Sequence, residues 1–385
     1  MVIHPEDIRY HLEKALYMAA TGRPGPVWLD LPLDVQGAII ETESLRAYDP
    51  AENPEQRPQE ILQETIEKIL DKIEESHRPV LSPGNGVRLA GAIKEFHELV
   101  DVLGVPVVTG MSSVDALESA HPYFVGRSGG TGTRPGNFAL QNSDVLLSIG
   151  NRQGFAQTGF QYQDWARESY TILNDIDENE LKKPNLHVSL PVVGDAGELI
   201  RGLLAEAKKR GADKGHPLFK GEDWRKQCLL WKEKYPAVTE KHYETLEEGC
   251  TNIYAFYGEL SKAMKENENL MVSVGTSRVA GSQAFQVKKG QRFITNPNTA
   301  SMGFCLPAAT GIAVAQPGKA VVCVTGEGSL QMNIQEMQTI LQNRLPVKLF
   351  VINNQGYHSI RQTQQSYFKP PLVGVGEESG DLSFP

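Results

Sequence analysis

The sequence predicts an α/β protein: two doubly wound parallel-sheet domains, with a remnant of a third ahead of them. Two observations predict it. Strand-length apolar runs alternate with amphipathic helical stretches along two separate lengths of chain, the pattern of a parallel sheet covered by helices on both faces. A polar stretch with three prolines, Tyr48–Pro58, and a charged, irregular one, Lys208–Gly249, set those lengths apart.

Taken in order, Pro5–Ala20 carries Ile8, Leu12, Ala15 and Leu16 on one face of a helix. Gly22–Pro26 breaks it, and Val27–Leu31 is expected as a short buried strand ended by Pro32. One helix and one strand cannot enclose a core, so residues 1–48 are expected to be the tail of a domain. The central domain, 59–205, is expected to run through helix Gln59–Glu75, strand Pro79–Ser82, helix Ala90–Leu103 and strand Val105–Thr109. Strands Asp144–Ile149 and Tyr170–Asp175 follow, with a closing helix near Asp195–Ala207. A helix-bearing connector, 206–250, leads to the last domain, 251–385. There the expected order is helix Ile253–Glu266, strand Leu270–Val274, helix Leu306–Ala315, strand Ala320–Val324, helix Asn333–Asn343 and strand Val347–Asn353. The chain stops on what reads as an unfinished loop, and both ends are expected to be cut.

Composition narrows the function. With 40% hydrophobic and 22% charged residues among 385, the chain can bury the cores of two or three soluble domains. A formal net charge of -9 argues against a nucleic-acid partner, which needs a Lys/Arg surplus. The longest apolar runs, such as Ala320–Thr325 and Lys348–Ile352, are strand-length, so no membrane span is expected. Met1–Tyr10 is no signal peptide, and the four cysteines show neither CxxC spacing nor a disulfide framework. Cys305 and Cys323 lie in apolar segments, where buried free thiols are expected. These absences point to the cytoplasm.

The chemistry is concentrated in Val324-Thr325-Gly326-Glu327-Gly328-Ser329 and, one helix and one strand later, Asn353-Asn354-Gln355-Gly356-Tyr357. A strand ending in Gly-acid-Gly-Ser frees backbone N–H groups at a turn and a helix start, which makes an anion site where a diphosphate can approach. Taken singly, an ordinary polar turn explains Glu327 and a loop cap explains Asn353-Asn354. On successive strand ends of a parallel sheet they lie side by side, where such sheets bind ligands. A carboxylate, an amide oxygen, a peptide carbonyl and two phosphate oxygens suit Mg²⁺, with water completing the octahedron.

On these residues the chain resembles the thiamine-diphosphate (ThDP) enzymes, most of all acetolactate synthase (acetohydroxyacid synthase) catalytic subunits. Gly22-Arg23-Pro24-Gly25-Pro26-Val27 with Leu31-Pro32-Leu33-Asp34-Val35 is similar to the end of their pyrimidine-binding domain. Residues 59–205 resemble their Rossmann-like central domain, and Thr251 onward their pyrophosphate-binding domain. The resemblance implies that Glu327, Asn354 and the carbonyl of Gly356 bind Mg²⁺. Gly326, Gly328 and Ser329, with Asn354 and Gly356, would hold the cofactor. Met302, in Ser301-Met302-Gly303-Phe304, would prop it in a bent shape; without the resemblance, Met302 reads as a core gap-filler. The activity implied is decarboxylation of a 2-oxo acid of the pyruvate type, with carboligation to a second carbonyl compound, by a homodimer or homotetramer.

Four departures qualify that. The family's metal-binding Asp is Glu327 here. Nothing in Met1–Asp49 matches the family's catalytic glutamate, so the isolated chain is expected to be inactive. A non-catalytic ThDP- or nucleotide-binding or assembly protein is the alternative. Thr363 stands where acetohydroxyacid synthases carry Trp, and Gly356–Gln364 is closer to acetolactate synthase-like proteins of uncertain substrate. His358, in that segment, is either an acid/base near the cofactor or a loop histidine without function. FAD, which those synthases bind in the central domain, stays open: Gly150-Asn151-Arg152 and Thr158-Gly159 match in part, with Gly154-Phe155-Ala156 between them replacing the usual residues. Gly84-Asn85-Gly86 is at best a fragment of a GxGxxG pattern, and simple turns explain the Gly-rich loop Gly126–Gly132 as well.

Overall fold

A computed structural model describes residues 1–53, 60–244 and 249–379 of the chain. Strands β1 (Pro79–Pro83), β2 (Val107–Thr109), β3 (Phe124–Arg127), β4 (Val145–Ile149), β5 (Tyr170–Asp175) and β6 (Leu190–Val193) form a six-stranded sheet, ordered β3-β2-β1-β4-β5-β6. Every pairing in it is parallel. Strands β7 (Asn269–Val272), β8 (Arg292–Ile294), β9 (Val321–Gly326) and β10 (Val347–Ile352) form a second, four-stranded parallel sheet, ordered β10-β9-β7-β8. The two parallel-sheet α/β domains read from the alternation are therefore present.

The central sheet is covered on both faces, which is why β1 and β4 are buried along their whole length. Helix Gln63–Glu75 buries Ile66, Ile69, Leu70 and Ile73 at three- and four-residue spacing. Helix Ile93–Leu103 buries Phe96, Leu99, Val100, Val102 and Leu103, and stops at Gly104 in the left-handed region (φ 67°). Leu218, Phe219, Trp224 and Cys228, from the stretch expected as connector, belong to this same core. Trp224 anchors there by donating from Nε1 to Pro79 O at 3.0 Å.

Some elements differ from expectation. Val27–Leu31 is not a strand: among the described residues no strand pairs with it, and Trp28 is 90% exposed. The helix expected from Pro5 begins with a 3₁₀ turn and becomes α-helical over Ile8–Ala20, but none of its residues is buried. Helix Asn333–Asn343 shortens to Glu336–Gln342, and β3, β6 and β8 were not expected at all. The second part of the linker Tyr48–Pro58, from residue 54, the first residue of helix Gln59–Glu75 and the end of the last domain lie outside the described residues.

The two sheet domains are joined by polar contacts at the β3 side of the first. Arg127, at the end of β3, donates through Nη2 to Phe285 O (2.8 Å), and Asp115 receives Nε of Arg292 (2.7 Å). Arg127 is fully enclosed, and burial pulls its guanidinium down to about 10. Lys232 joins it, donating to Ser119 O (2.9 Å) and Phe124 O (2.8 Å). No helix among the described residues is long and apolar enough to cross a membrane.

Candidate functional site

In the second sheet, β8 lies on one side of β7 while β9 and β10 lie on the other. The connections leaving β7 and β9 therefore diverge and open a crevice at their carboxyl ends. Glu327–Gln331 turns helical immediately after β9, so its first N–H groups have no acceptor within the helix. Glu327, Gly328 and Ser329 are buried at that point.

Ser329 ties the crevice together. Its hydroxyl is 2.9 Å from the Ser273 hydroxyl, just past β7, and accepts the Gly303 N–H at 2.8 Å. Asn333 donates to Gly303 O at 3.0 Å, so Gly303, next to Met302, is held through both its N–H and its carbonyl. Gly303 has φ 83°, and a Cβ there would come within 2.7 Å of Met332 and Asn333, which excludes other residues. Met302 is 37% exposed on this loop, at the rim of the crevice and outside the core clusters.

The loop after β10 supplies the rest. Gly356 N–H donates to Glu327 Oε1 at 2.8 Å, and the Asn353 side chain accepts the Gln355 N–H at 2.9 Å. The Asn354 amide admits two orientations. In the orientation that satisfies its hydrogen bonds, the amide nitrogen donates to Gly356 O (2.6 Å) and Glu327 Oε1 (3.2 Å); the opposite one sets its oxygen against two other acceptors, which only a cation between them would stabilise. With a cation there, the turned-over amide would complete a set of a carboxylate, an amide and a peptide oxygen. Neighbouring ligands of an octahedral Mg²⁺ with bonds of 2.0–2.1 Å stand roughly 3 Å apart, so the set fits a small hard cation. Among the described residues, no group of three or more His, Cys, Asp or Glu could hold a metal, so amide and peptide oxygens have to contribute.

Each residue singled out in this stretch of the sequence has a place. Glu327, Asn354 and Gly356 converge, and Gly328 and Ser329 begin the helix beside them. Gly328 is needed for a reason that the motif does not reveal: a Cβ there would be 2.5 Å from the Tyr357 ring. At Gly326 the nearest atom to such a Cβ is 3.9 Å away, so that position is open. His358 starts helix His358–Tyr367, half-buried, with its N–H on Gly356 O at 3.1 Å. Sequence reasoning missed Ser273 and Gly303. Ser273 was hidden inside an expected strand, and Gly275 (φ 67°) just beyond it was the available signal of a turn. Beneath the crevice Cys305 and Cys323 are buried and free, as expected. Hydrogen bonding from Cys323, with help from Thr325 and Ser273, pulls the Cys305 thiol down to about 6 against the opposing effect of burial.

Two family models match this chain. Residues 66–203 match the model of the thiamine pyrophosphate enzyme central domain, and residues 273–384 that of the C-terminal TPP-binding domain. The chain is 30% identical to the acetolactate synthase isozyme 3 large subunit of Escherichia coli, over 99% of this chain and 67% of that one. It is 30% identical to the isozyme 1 large subunit of the same organism, over 100% and 64%. A probable acetolactate synthase large subunit of Methanocaldococcus jannaschii is 31% identical, over 97% and 62%. The chain thus spans a little under or about two thirds of the length of these relatives, 62% to 67%.

Proposed function

This chain belongs to the thiamine pyrophosphate enzymes of the acetolactate synthase large-subunit type, and we propose that it supplies the diphosphate- and Mg²⁺-binding half of a site for 2-oxo acid decarboxylation and carboligation. One observation carries the proposal: the Glu327 carboxylate, the Asn354 amide and the Gly356 carbonyl converge beside the first-turn N–H groups of Gly328 and Ser329. In this reading Glu327, Asn354 and the Gly356 carbonyl hold the cation. The N–H groups of Gly328 and Ser329 receive the diphosphate, with Gly326 leaving room for it. Ser329 and Asn333 fix the Gly303 peptide, and with it the loop from which Met302 props the cofactor. The longer acid at 327 is accommodated by the Gly356 N–H, which holds its Oε1.

When bound, ThDP supplies an electron sink that allows a pyruvate-type acid to lose CO₂ and the remainder to be passed to a second carbonyl compound. The chain's own residues bind and orient. Residues 1–48 offer no match to the family's catalytic glutamate, so this chain alone binds cofactor without consuming pyruvate. The complete site belongs to a cytoplasmic homodimer or homotetramer. FAD enters no step of this reading; among the glycines that raised it, Gly84, Gly86 and Gly150 pack on one another. The competing reading, a non-catalytic binding or assembly protein, differs in the chemistry and shares the cofactor site.

The test is calorimetric titration of the purified chain with ThDP, with Mg²⁺ and with EDTA. Binding is expected only with Mg²⁺ and is expected to vanish in Glu327→Ala. Unchanged affinity in that variant would remove Glu327 from the site. Pyruvate consumption by the pure chain would overturn the division of labour.

A further inference from the structure

The loop that carries two of the proposed cation ligands is not in a conformation its own residues favour. Gln355 has φ 57° and Gly356 φ 138°. The left-handed region is unfavourable for a residue such as glutamine, so contacts outside the loop must hold it there. Those contacts come from helix His358–Tyr367 and the segment that follows it. Arg361, one turn into helix His358–Tyr367, donates from Nη2 to Gln355 O at 2.9 Å and to Val375 O at 3.4 Å. Its Nε meets Glu378 Oε1 at 2.5 Å. Val375 is fully buried, and its carbonyl also accepts the Tyr357 N–H at 2.9 Å. A Cβ on Gly356 would overlap that carbonyl, so only glycine fits. Three residues further along the helix, Gln364 exchanges two hydrogen bonds of 2.9 Å with the Val373 backbone.

An ordinary surface ion pair would explain the contact with Glu378 alone, and such pairs contribute little. Arg361 does more than that. Its side chain is only 18% exposed, and its planar fork joins the Gln355 carbonyl to residues 373–379, a segment well beyond the loop in the sequence. A guanidinium can bind these acceptors at once; a single ammonium cannot reproduce that geometry.

We propose that Arg361 is a positioning residue for the cation site: it latches residues 373–379 onto the Gln355–Gly356 peptide and so holds Asn354 and Gly356 at the spacing that Mg²⁺ requires. The proposal rests on the cofactor reading above. It predicts a variant that folds and still binds ThDP, but needs more metal to do so.

Two measurements on the full chain test it. Arg361→Gln is expected to raise the Mg²⁺ concentration for half-maximal ThDP binding about 10–100-fold, as for other residues that orient metal ligands, with ThDP affinity recovering at saturating Mg²⁺. Arg361→Lys is expected to fall between. Without any ligand, hydrogen exchange at the amides of residues 355–357 is expected to accelerate in Arg361→Gln. Unchanged exchange there overturns the latch, whatever the cofactor does. Faster exchange with an unchanged Mg²⁺ requirement overturns the positioning role. If the wild-type chain shows no Mg²⁺-dependent ThDP binding, the cofactor reading fails and the positioning role fails with it, while exchange still decides whether the latch exists.

Discussion

The molecule contains two crevices of the same topological kind, one between the ends of β1 and β4 and one between the ends of β7 and β9. Glycines lie at both. At the first, a Cβ on Gly84 would overlap Gly150 O, and one on Gly86 would come within 2.7 Å of Gly150 Cα. Gly150, at φ 58°, returns the contact on Gly86 at 2.8 Å. Backbone N–H groups cross the gap as well, from Gly84 to Ile149 O (2.8 Å) and from Gly86 to Gly150 O (2.9 Å). These loops have closed on each other. At the second crevice, Gly326 is open and what meets across the gap is polar side chains: the hydroxyls of Ser273 and Ser329, and the Asn354 amide with the Glu327 carboxylate. A glycine after a strand therefore reports close approach, and the polar side chains beside it report what approaches.

Paired alanine substitutions give the comparison its most direct test. Gly84→Ala has to push one backbone away from another, and its expected cost is about 3 kcal/mol in urea unfolding, at the upper end for overpacking. ThDP affinity per folded molecule should stay at the wild-type value. Gly326→Ala is expected to do the reverse. Its φ of -84° suits alanine and its Cβ has room, so stability should shift by no more than about 0.5 kcal/mol. The added methyl occupies the space assigned to the diphosphate, and ThDP binding should weaken. If Gly84→Ala weakened ThDP binding while stability held, the first crevice would be a ligand site and the contrast would collapse.

The sequence made the buried, periodic regions legible. Val145–Ile149 appears almost where it was expected because an interior parallel strand is a near-continuous apolar run between turns. β8 escaped because three residues, with only Phe293 buried, carry too little periodicity to stand out. Val27–Leu31 misled in the opposite way. It has the composition of a strand, but a strand exists only with a partner. For the site, Glu327 and Asn354 could be found from residue types on successive strand ends. Ser273 and Arg361 could not, because their roles depend on which loops the sheet order brings together. Gly328 was found for an incomplete reason, since its packing against Tyr357 is invisible in the motif.

Between the two crevices lies the domain contact, and its protonation offers a smaller effect that separates stability from ligand binding. Burial, with a lesser contribution from Arg127, lowers Lys232 from 10.5 to about 8. Below pH 8 the amine is charged in both the folded and unfolded states, and the cost of burying that charge is fully present. Between about 8 and 10.5 the folded chain has lost the proton while the unfolded chain keeps it. The unfolded state then binds more protons, so this residue's contribution to stability rises with pH across that window and levels off above it. Urea unfolding of wild type and Lys232→Met at pH 7 and pH 9.5 reads the effect as a difference, because other titrating groups cancel. The loss of the two hydrogen bonds to Ser119 O and Phe124 O adds an offset common to both pH values. The stability of wild type relative to the variant is expected to increase at the higher pH, whereas the difference in ThDP affinity between them should not follow it. A pH-independent stability difference would show that Lys232 is charged and solvated where it lies. A cofactor affinity that tracked the titration would show that the contact between the two domains reaches the crevice after all.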